Sequence, residues 1–433
     1  MELALTGFAV LLFLSFCGFP LGFTTLLVGF VGFAYTREWN WEGAMTMVGQ
    51  QVMETGANYG LSVIPLFILM GSFIHRSNIS EDLFRAAYAF IGYRKGGLAQ
   101  ATILACAGFS AVSGSSLATA ATMTKVAMPH MRRYGYADSL SSGVVAAGGT
   151  LGIMIPPSVP LIIYGLVAEE DIGKLFIAGT IPGIMLVFLF LGAVRFSVWR
   201  NPSLGQPGER LSRAERFAAY ARVWPVIALF VLVLGGIYIG AFTPTEASGI
   251  GAFGAAVFAL AKGHLRSWSA LLDILIDSTK TSAILFSVIF GALVFANFIN
   301  LSGLPYDLLD MVEAWEMGPM GVVLFVCVIC IVLGMIFEAV GLLLLIVPVF
   351  LPTLQLMGVD MIWFGIIMVV VVEMGLITPP IGMNVFTVRA VMPDIKLGNI
   401  FKGVIPFVFA DVIALLLILL FPIIAVGLVG ILR

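Results

Sequence analysis

The sequence predicts an all-α polytopic membrane protein, with about 11 transmembrane helices plus two re-entrant helical hairpins in two inverted repeats. Three observations carry that prediction. The 433 residues are 60% hydrophobic and 11% charged, with a mean hydropathy of +1.08, a balance suited to lipid rather than water. Two apolar runs, 98–130 and 320–352, are too long for a single crossing and are interrupted near their middles. Landmarks of the first half also recur 223 or 224 residues later: Pro20 as Pro244, Pro129 as Pro352, Gly152 with Pro156-Pro157 as Gly375 with Pro379-Pro380, Asp171-Ile172 as Asp394-Ile395, and Pro182 as Pro406.

Taken in order, apolar segments run over 3–18, 21–35, 57–74, 98–130, 139–167, 175–199, 223–241, 247–261, 281–299, 320–352, 361–388 and 403–432. Only Glu2 precedes the first, with no basic residue, so it reads as a membrane segment and not a cleaved leader. Residues 1–200 form the first repeat, with scaffold helices, a hairpin at 98–130 and a broken helix at 139–167. The stretch 201–222 is polar, holds Pro202 and Pro207, carries Arg210, Arg213, Arg216 and Arg222, and reads as a cytoplasmic linker. Residues 223–433 form the second repeat, with its hairpin at 320–352 and broken helix at 361–388.

The first hairpin is the best defined. As one helix, Leu98 to Pro129 would measure about 48 Å against a hydrocarbon core of about 30 Å. Split at Ser113-Gly114-Ser115-Ser116, it gives two halves of roughly 15 residues, each too short to span. Arg94 and Lys95 precede the run and Arg132 and Arg133 follow it, so both ends should face the cytoplasm. A hairpin tip at mid-membrane has unpaired backbone groups, tolerated only where it is buried in protein or lines a cavity. Asp307, Asp310, Glu313 and Glu316 precede the second run and Asp360 follows it, so that hairpin should open outward. Counting crossings from these assignments inverts the second half and leaves only Arg37, Lys174 and Arg433 outside among 22 Lys+Arg.

The chemistry should lie at four interruptions. Ser113, Ser115 and Ser116 offer hydroxyl oxygens and Gly114 permits the turn, a donor set that suits a hard cation; close helix packing by small residues is the alternative. Pro156 and Pro157 lack N–H groups and should free the carbonyls of Gly152 and Ile153. Pro379 and Pro380 should do the same for Gly375 and Leu376, with Thr378 and Asn384 adding side-chain oxygens. The second tip, near Gly334 to Gly341, holds Glu338, either a functional acid or a cap on the freed helix end. Glu246 in Thr-Pro-Thr-Glu reads as half of a capping box.

Other classes are excluded or disfavoured. A net charge of −2 excludes a nucleic-acid binder on electrostatic grounds. The four cysteines lie in apolar runs, so disulfides are not expected, and Cys327 with Cys330 lacks the further ligands that a zinc site needs. His75, His130 and His264 show no metal-ligand spacing. No GxxxxGK[ST] occurs, so ATP is not hydrolysed here. An intramembrane enzyme would need HExxH or a buried acid dyad, and neither is evident from the sequence.

Four stretches, FSAVSGSSLATAATM, GTLGIMIPPSVPLIIYG, TPTEASGIGA and GLITPPIGMNVF, resemble the large M-type membrane subunit of TRAP (tripartite ATP-independent periplasmic) transporters, over essentially the whole chain. More distantly, the two hairpins and broken helices look like those of divalent-anion/sodium symporters of the ion-transporter superfamily. The resemblance implies an elevator-type carrier of the bacterial inner membrane, coupled to Na⁺ and without a further cofactor. One Na⁺ would lie between the first tip and the first break, at Ser113, Gly114, Ser115, Ser116, Gly149 and Gly152. Another would lie between the second tip and the second break, at Gly334, Glu338, Gly375 and Thr378. Ser158, Pro379 and Asn384 would meet an organic acid anion. The implied partners are a small four-helix membrane subunit, a periplasmic substrate-binding protein and the lipid bilayer; a standalone sodium/anion symporter of the same fold is the alternative.

Overall fold

A computed structural model describes residues 1–263, 265 and 267–432. His264 and Arg433, which carried expectations above, lie outside the described residues. Every regular element among those described is helical. The first half contains α1 (Glu2–Phe16), α2 (Leu21–Thr36), α3 (Trp41–Ala57), α4 (Val63–Arg76), α5 (Ile79–Ile91), α6 (Gly97–Ser113), α7 (Ser116–Arg133), α8 (Asp138–Met154), α9 (Val159–Val167) and α10 (Ile172–Arg200). Then come α11 (Arg213–Tyr238), α12 (Pro244–Ala261), α13 (Trp268–Leu301), α14 (Leu304–Ala314), α15 (Pro319–Gly334), α16 (Ala339–Leu356), α17 (Met361–Gly375), α18 (Met383–Val391), α19 (Leu397–Leu420) and α20 (Ile423–Leu432).

Local chemistry sets many of the helix starts. Asn40, Asp171 and Asp360 each accept a backbone N–H three residues on, at 2.8, 2.8 and 2.9 Å. Thr243 and Glu246 form the capping box read from the sequence: the Thr243 N–H donates to Glu246 Oε2 at 2.8 Å, and the Glu246 N–H donates to Thr243 Oγ1 at 3.3 Å. Ser212 and Glu215 form a second such box, which starts α11 at Arg213. The linker expected over 201–222 therefore becomes helical ten residues early; the Ser-x-x-Glu signal lay inside a stretch that looked too charged to continue a membrane helix.

The expected count of about 11 membrane helices meets helices of very unequal length. Among the described residues six helices are long and apolar enough to cross a membrane, or up to seven if α8 and α9, bent by 41°, count as one span. Beside them stand shorter apolar helices of 10–17 residues: α1, α2, α6, α15, α17 and α20. Three helices, α3, α5 and α14, were absent from the apolar segments because each mixes polar with apolar residues; Glu81, Asp82 and Arg85 on α5 are an instance. The segment 403–432 is divided at Phe421-Pro422 into α19 and α20. Helix lengths after residue 213 otherwise follow those of the first half: α7 and α16 have 18 residues each, and α9 and α18 have 9 each. The clearest departure is α13, one helix of 34 residues where the first half has α3 and α4, separated at Asn58.

At the centre stand α8, buried without interruption from Leu140 to Met154, and α17, buried from Trp363 to Gly375. Packed on them are α6, α7, α10 and α19 on one hand and α15 and α16 on the other. α13 packs along α2 and α12 along α4 at the flank. Large apolar side chains cover the outside, including Phe188, Trp199, Phe217, Trp224, Phe253 and Ile284, as a lipid-facing belt requires.

Candidate functional site

The first interruption is a tight turn. α6 ends at Ser113, Gly114 adopts φ +58°, and Ser115 caps α7. A positive φ at that position costs a side chain but not glycine. The chain then doubles back, since Thr102 Oγ1 on α6 lies 3.9 Å from Met131 Sδ on α7 and the Leu98 N–H donates to the Tyr136 hydroxyl at 3.2 Å. Ser113 Oγ lies 2.8 Å from Thr119 Oγ1, which itself donates to the Ser115 carbonyl at 2.8 Å. Ser113 and Ser115 are half-buried; Ser116 is buried and donates to Asn384 Oδ1 at 2.8 Å.

This tip sits on the break between α8 and α9 through backbone contact. A Cβ on Gly152 would lie 3.0 Å from the Ser115 carbonyl oxygen, and one on Gly149 would lie 2.9 Å from Ala120 Cβ. The break runs through Pro156 and Pro157, whose peptide bond is cis, and Ser158 caps α9. Two expectations change here. The Ile153 carbonyl, expected to be free, accepts the Ser158 hydroxyl, and Ser158, expected to meet substrate, is fully buried with that hydroxyl engaged. A hydroxyl placed five residues after a carbonyl that has lost its helix partner is well positioned to bond it.

The second break behaves similarly but is open. Pro379 and Pro380, again joined by a cis bond, are exposed, whereas Pro156 and Pro157 are buried. The Gly375 carbonyl accepts the Thr378 N–H at 3.3 Å and the Leu376 carbonyl accepts the Asn384 N–H at 3.0 Å, so neither is free of protein donors as expected. Each retains a second lone pair. Thr378 Oγ1 donates to the Met374 carbonyl at 2.6 Å. Asn384, expected at the substrate, is instead fully buried, bonded to Ser116 and donating from Nδ2 to the Ala146 carbonyl at 2.9 Å. Its side chain joins the first tip, α8 and the second break.

The second tip reaches the second break without hydroxyl groups. A Cβ on Gly375 would lie 2.6 Å from the Gly334 carbonyl carbon, and the Gly382 N–H donates to the Met335 carbonyl at 3.3 Å. Glu338 precedes α16 with its side chain exposed and makes no capping bond, which removes the capping reading. All four interruptions thus meet in one region, with α7 packed on α18 and α16 on α9.

Glu373 on α17 and Asp411 on α19 went unrecognised in the sequence. Both are fully buried, and Thr150 Oγ1 of α8 lies 2.6 Å from Glu373 Oε1. A buried acid pair is therefore present, contrary to expectation. The signal was available: Thr150 and Glu373 occupy matching positions 223 residues apart, two residues before Gly152 and Gly375. No group of three or more His, Cys, Asp or Glu suited to a metal ion occurs among the described residues. A cavity of about 470 Å³ lies elsewhere, between α5, α7 and α11, where Arg85, Arg133 and Arg222 line it with Glu81 and Glu215.

Residues 5–424 match the family described as tripartite ATP-independent periplasmic transporter, DctM component. The chain is 36% identical over 379 residues to the C4-dicarboxylate TRAP transporter large permease protein DctM of Pseudomonas aeruginosa, covering 87% of this chain and 88% of that protein. It is 31% identical over 409 residues to the sialic acid TRAP transporter large permease protein SiaM of Vibrio cholerae, covering 94% of each. The isethionate TRAP transporter permease protein DctMQ of Oleidesulfovibrio alaskensis is 33% identical over 364 residues, covering 83% of this chain and 56% of that longer protein. Among solved structures, the YdaH transporter of Alcanivorax borkumensis shares the fold, with a TM-score of 0.65, 16% identity and 87% of each chain covered.

Proposed function

Because the chain belongs to the DctM component family of tripartite ATP-independent periplasmic transporters, we propose that it imports a small organic acid anion, such as a C4-dicarboxylate or sialic acid, driven by a sodium gradient. It is a multi-pass transport permease and not an enzyme. Our reading has residues 1–200 and 223–433 as inverted repeats in the bacterial inner membrane. A transport body bearing both hairpins and both breaks slides against a scaffold. A small membrane subunit extends the scaffold, and a periplasmic binding protein delivers the anion.

One observation carries this reading: four chain interruptions, two from each half, converge on one cluster of hydroxyl and carbonyl oxygens. Neutral oxygens suit Na⁺, and the N-terminal ends of α9 and α18 beside the breaks favour a carboxylate. Ser113, Ser115 and the Gly152 carbonyl would hold one ion; Gly375, Thr378 and the backbone around Gly334 would hold the other. The exposed Pro379 is the expected residue left to meet the anion from outside the bundle.

Uptake into proteoliposomes with an inward sodium gradient tests the reading. Both partners should be required. Ser113→Ala and Thr378→Ala should each raise the half-saturating sodium concentration, on the order of tenfold for a lost ligand worth about 1.5 kcal/mol. Full-rate saturable uptake by this chain alone would favour the standalone symporter. Unchanged sodium dependence in both variants would leave the hydroxyls a packing role.

A further inference from the structure

Thr150, Glu373 and Asp411 meet on three helices that pack against one another, α8, α17 and α19. Both carboxyls are fully buried, and Asp411 lies near enough to Glu373 for the two acids to interact. Glu373 Oε2 and both Asp411 oxygens have no hydrogen-bond partner among the described residues. Among the described residues no cation pairs with them: surrounding elements bring Lys125, His130, Arg132 and Arg133 on α7, Lys174, Arg195 and Arg200 on α10, Arg389 on α18 and Lys402 on α19, none of which bonds to either acid. The remaining titratable groups facing in are the thiols of Cys106, Cys327 and Cys330 and the Tyr164 phenol, with Asp138 at the start of α8 already bonded to Arg132.

Proton counting at Thr150 decides what the cluster holds. Its hydroxyl oxygen lies 2.7 Å from the Ala147 carbonyl and 2.6 Å from Glu373 Oε1, yet it has a single hydrogen to donate. If Glu373 were ionised, one of these two short contacts would set oxygen lone pairs against each other. A proton on Oε1 satisfies both: Glu373 donates to Thr150, and Thr150 donates to Ala147. Two ionised carboxylates enclosed without cations would also repel while lacking solvation, so Asp411 needs neutralising in turn.

We propose that the Thr150–Glu373–Asp411 cluster is a proton-binding site, with one proton on Glu373 Oε1 donated to Thr150 and a second, exchangeable proton on Asp411. Glu373 and Thr150 stand two residues before Gly375 and Gly152. Releasing the Asp411 proton places charge on α19 where it packs against α8 and α17, the helices that end at the two breaks. The proton load of this cluster is thereby linked to the spacing of both interruptions.

Infrared spectroscopy of the purified chain in detergent tests the assignment independently of sodium or substrate. At about pH 8 exposed carboxyls are ionised, so the carbonyl stretch of a protonated acid reports enclosed groups. The wild type should show this band, shifted in deuterated buffer. Glu373→Gln and Asp411→Asn should each remove part of it and the double variant all of it, while Thr150→Val should move the Glu373 component by removing its acceptor. Absence of the band in the wild type, or a band untouched in both single variants, would overturn the proposal. If Glu373→Gln fails to fold, Asp411→Asn and Thr150→Val still decide it.

Discussion

Gly375 illustrates how a single atom sets the spacing of the site. In a helix, alanine for glycine ordinarily stabilises by up to about 1 kcal/mol. Here the added Cβ would stand 2.6 Å from the Gly334 carbonyl carbon, a backbone atom that cannot swing aside, and such overpacking costs about 1–3 kcal/mol. Contact outweighs propensity, so Gly375→Ala should lower the thermal unfolding temperature and slow uptake. At Gly152 the nearest atom is 3.0 Å away, and Gly152→Ala should do less damage. Thermal unfolding of both variants in detergent checks the order; a stabilised Gly375→Ala protein would mean that the two backbones separate freely.

Among the elements, the two hairpins differ in how their far ends are held. Arg132, at the end of α7, donates to both oxygens of Asp138 at 2.8 and 3.0 Å and to Asp394 at 2.5 Å, tying the first hairpin to α8 and to the loop after α18. The matching position in α16 is Gln355, which carries no charge. Hydrogen bonding from Arg132 holds the Asp394 carboxyl below the usual carboxylate range. A group shifted down contributes stability above its unfolded value, and that contribution is lost as pH falls through the lower folded value. Asp394→Asn should therefore unfold more readily than the parent at neutral pH, with the two converging in acid below the usual carboxylate range. Parallel unfolding curves at every pH would show that the link contributes nothing.

For the whole molecule, orientation is the decisive property. A cysteine at Ser212 should react only from the cytoplasmic side and one at Asp310 only from the periplasmic side; labelling of both from one face would end the inverted arrangement. The segments that the proposed inverted arrangement puts outside hold Glu38, Glu42, Glu169, Glu170, Asp171 and the acids from Asp307 to Glu316. Such a face repels free carboxylates and suits a docking protein with basic residues. Reversing Asp307, Asp310 and Glu313 to Lys should weaken stimulation of uptake by the binding protein and leave its affinity for substrate unchanged. Undiminished stimulation would move the docking surface elsewhere.

What the sequence by itself determined were features that repeat or act within a few residues: apolar runs, the turn at Ser113 to Ser116, the proline pairs, the capping box at Thr243 and the recurrence at 223 residues. Each is governed by local backbone geometry or by exclusion of polar groups from lipid, and both are written along the chain. Partnership was decided only by the tertiary structure. Asn384 was legible as a polar residue beside a break, but its bonds to Ser116 and Ala146 span 268 and 238 residues. Ser158 and the carbonyls of Ile153, Gly375 and Leu376 found partners nearby, because a polar group without water takes whichever partner folding places within reach. Glu373 and Asp411 lay in apolar runs without any local motif, and packing α8, α17 and α19 together is what turned two scattered acids into an enclosed pair.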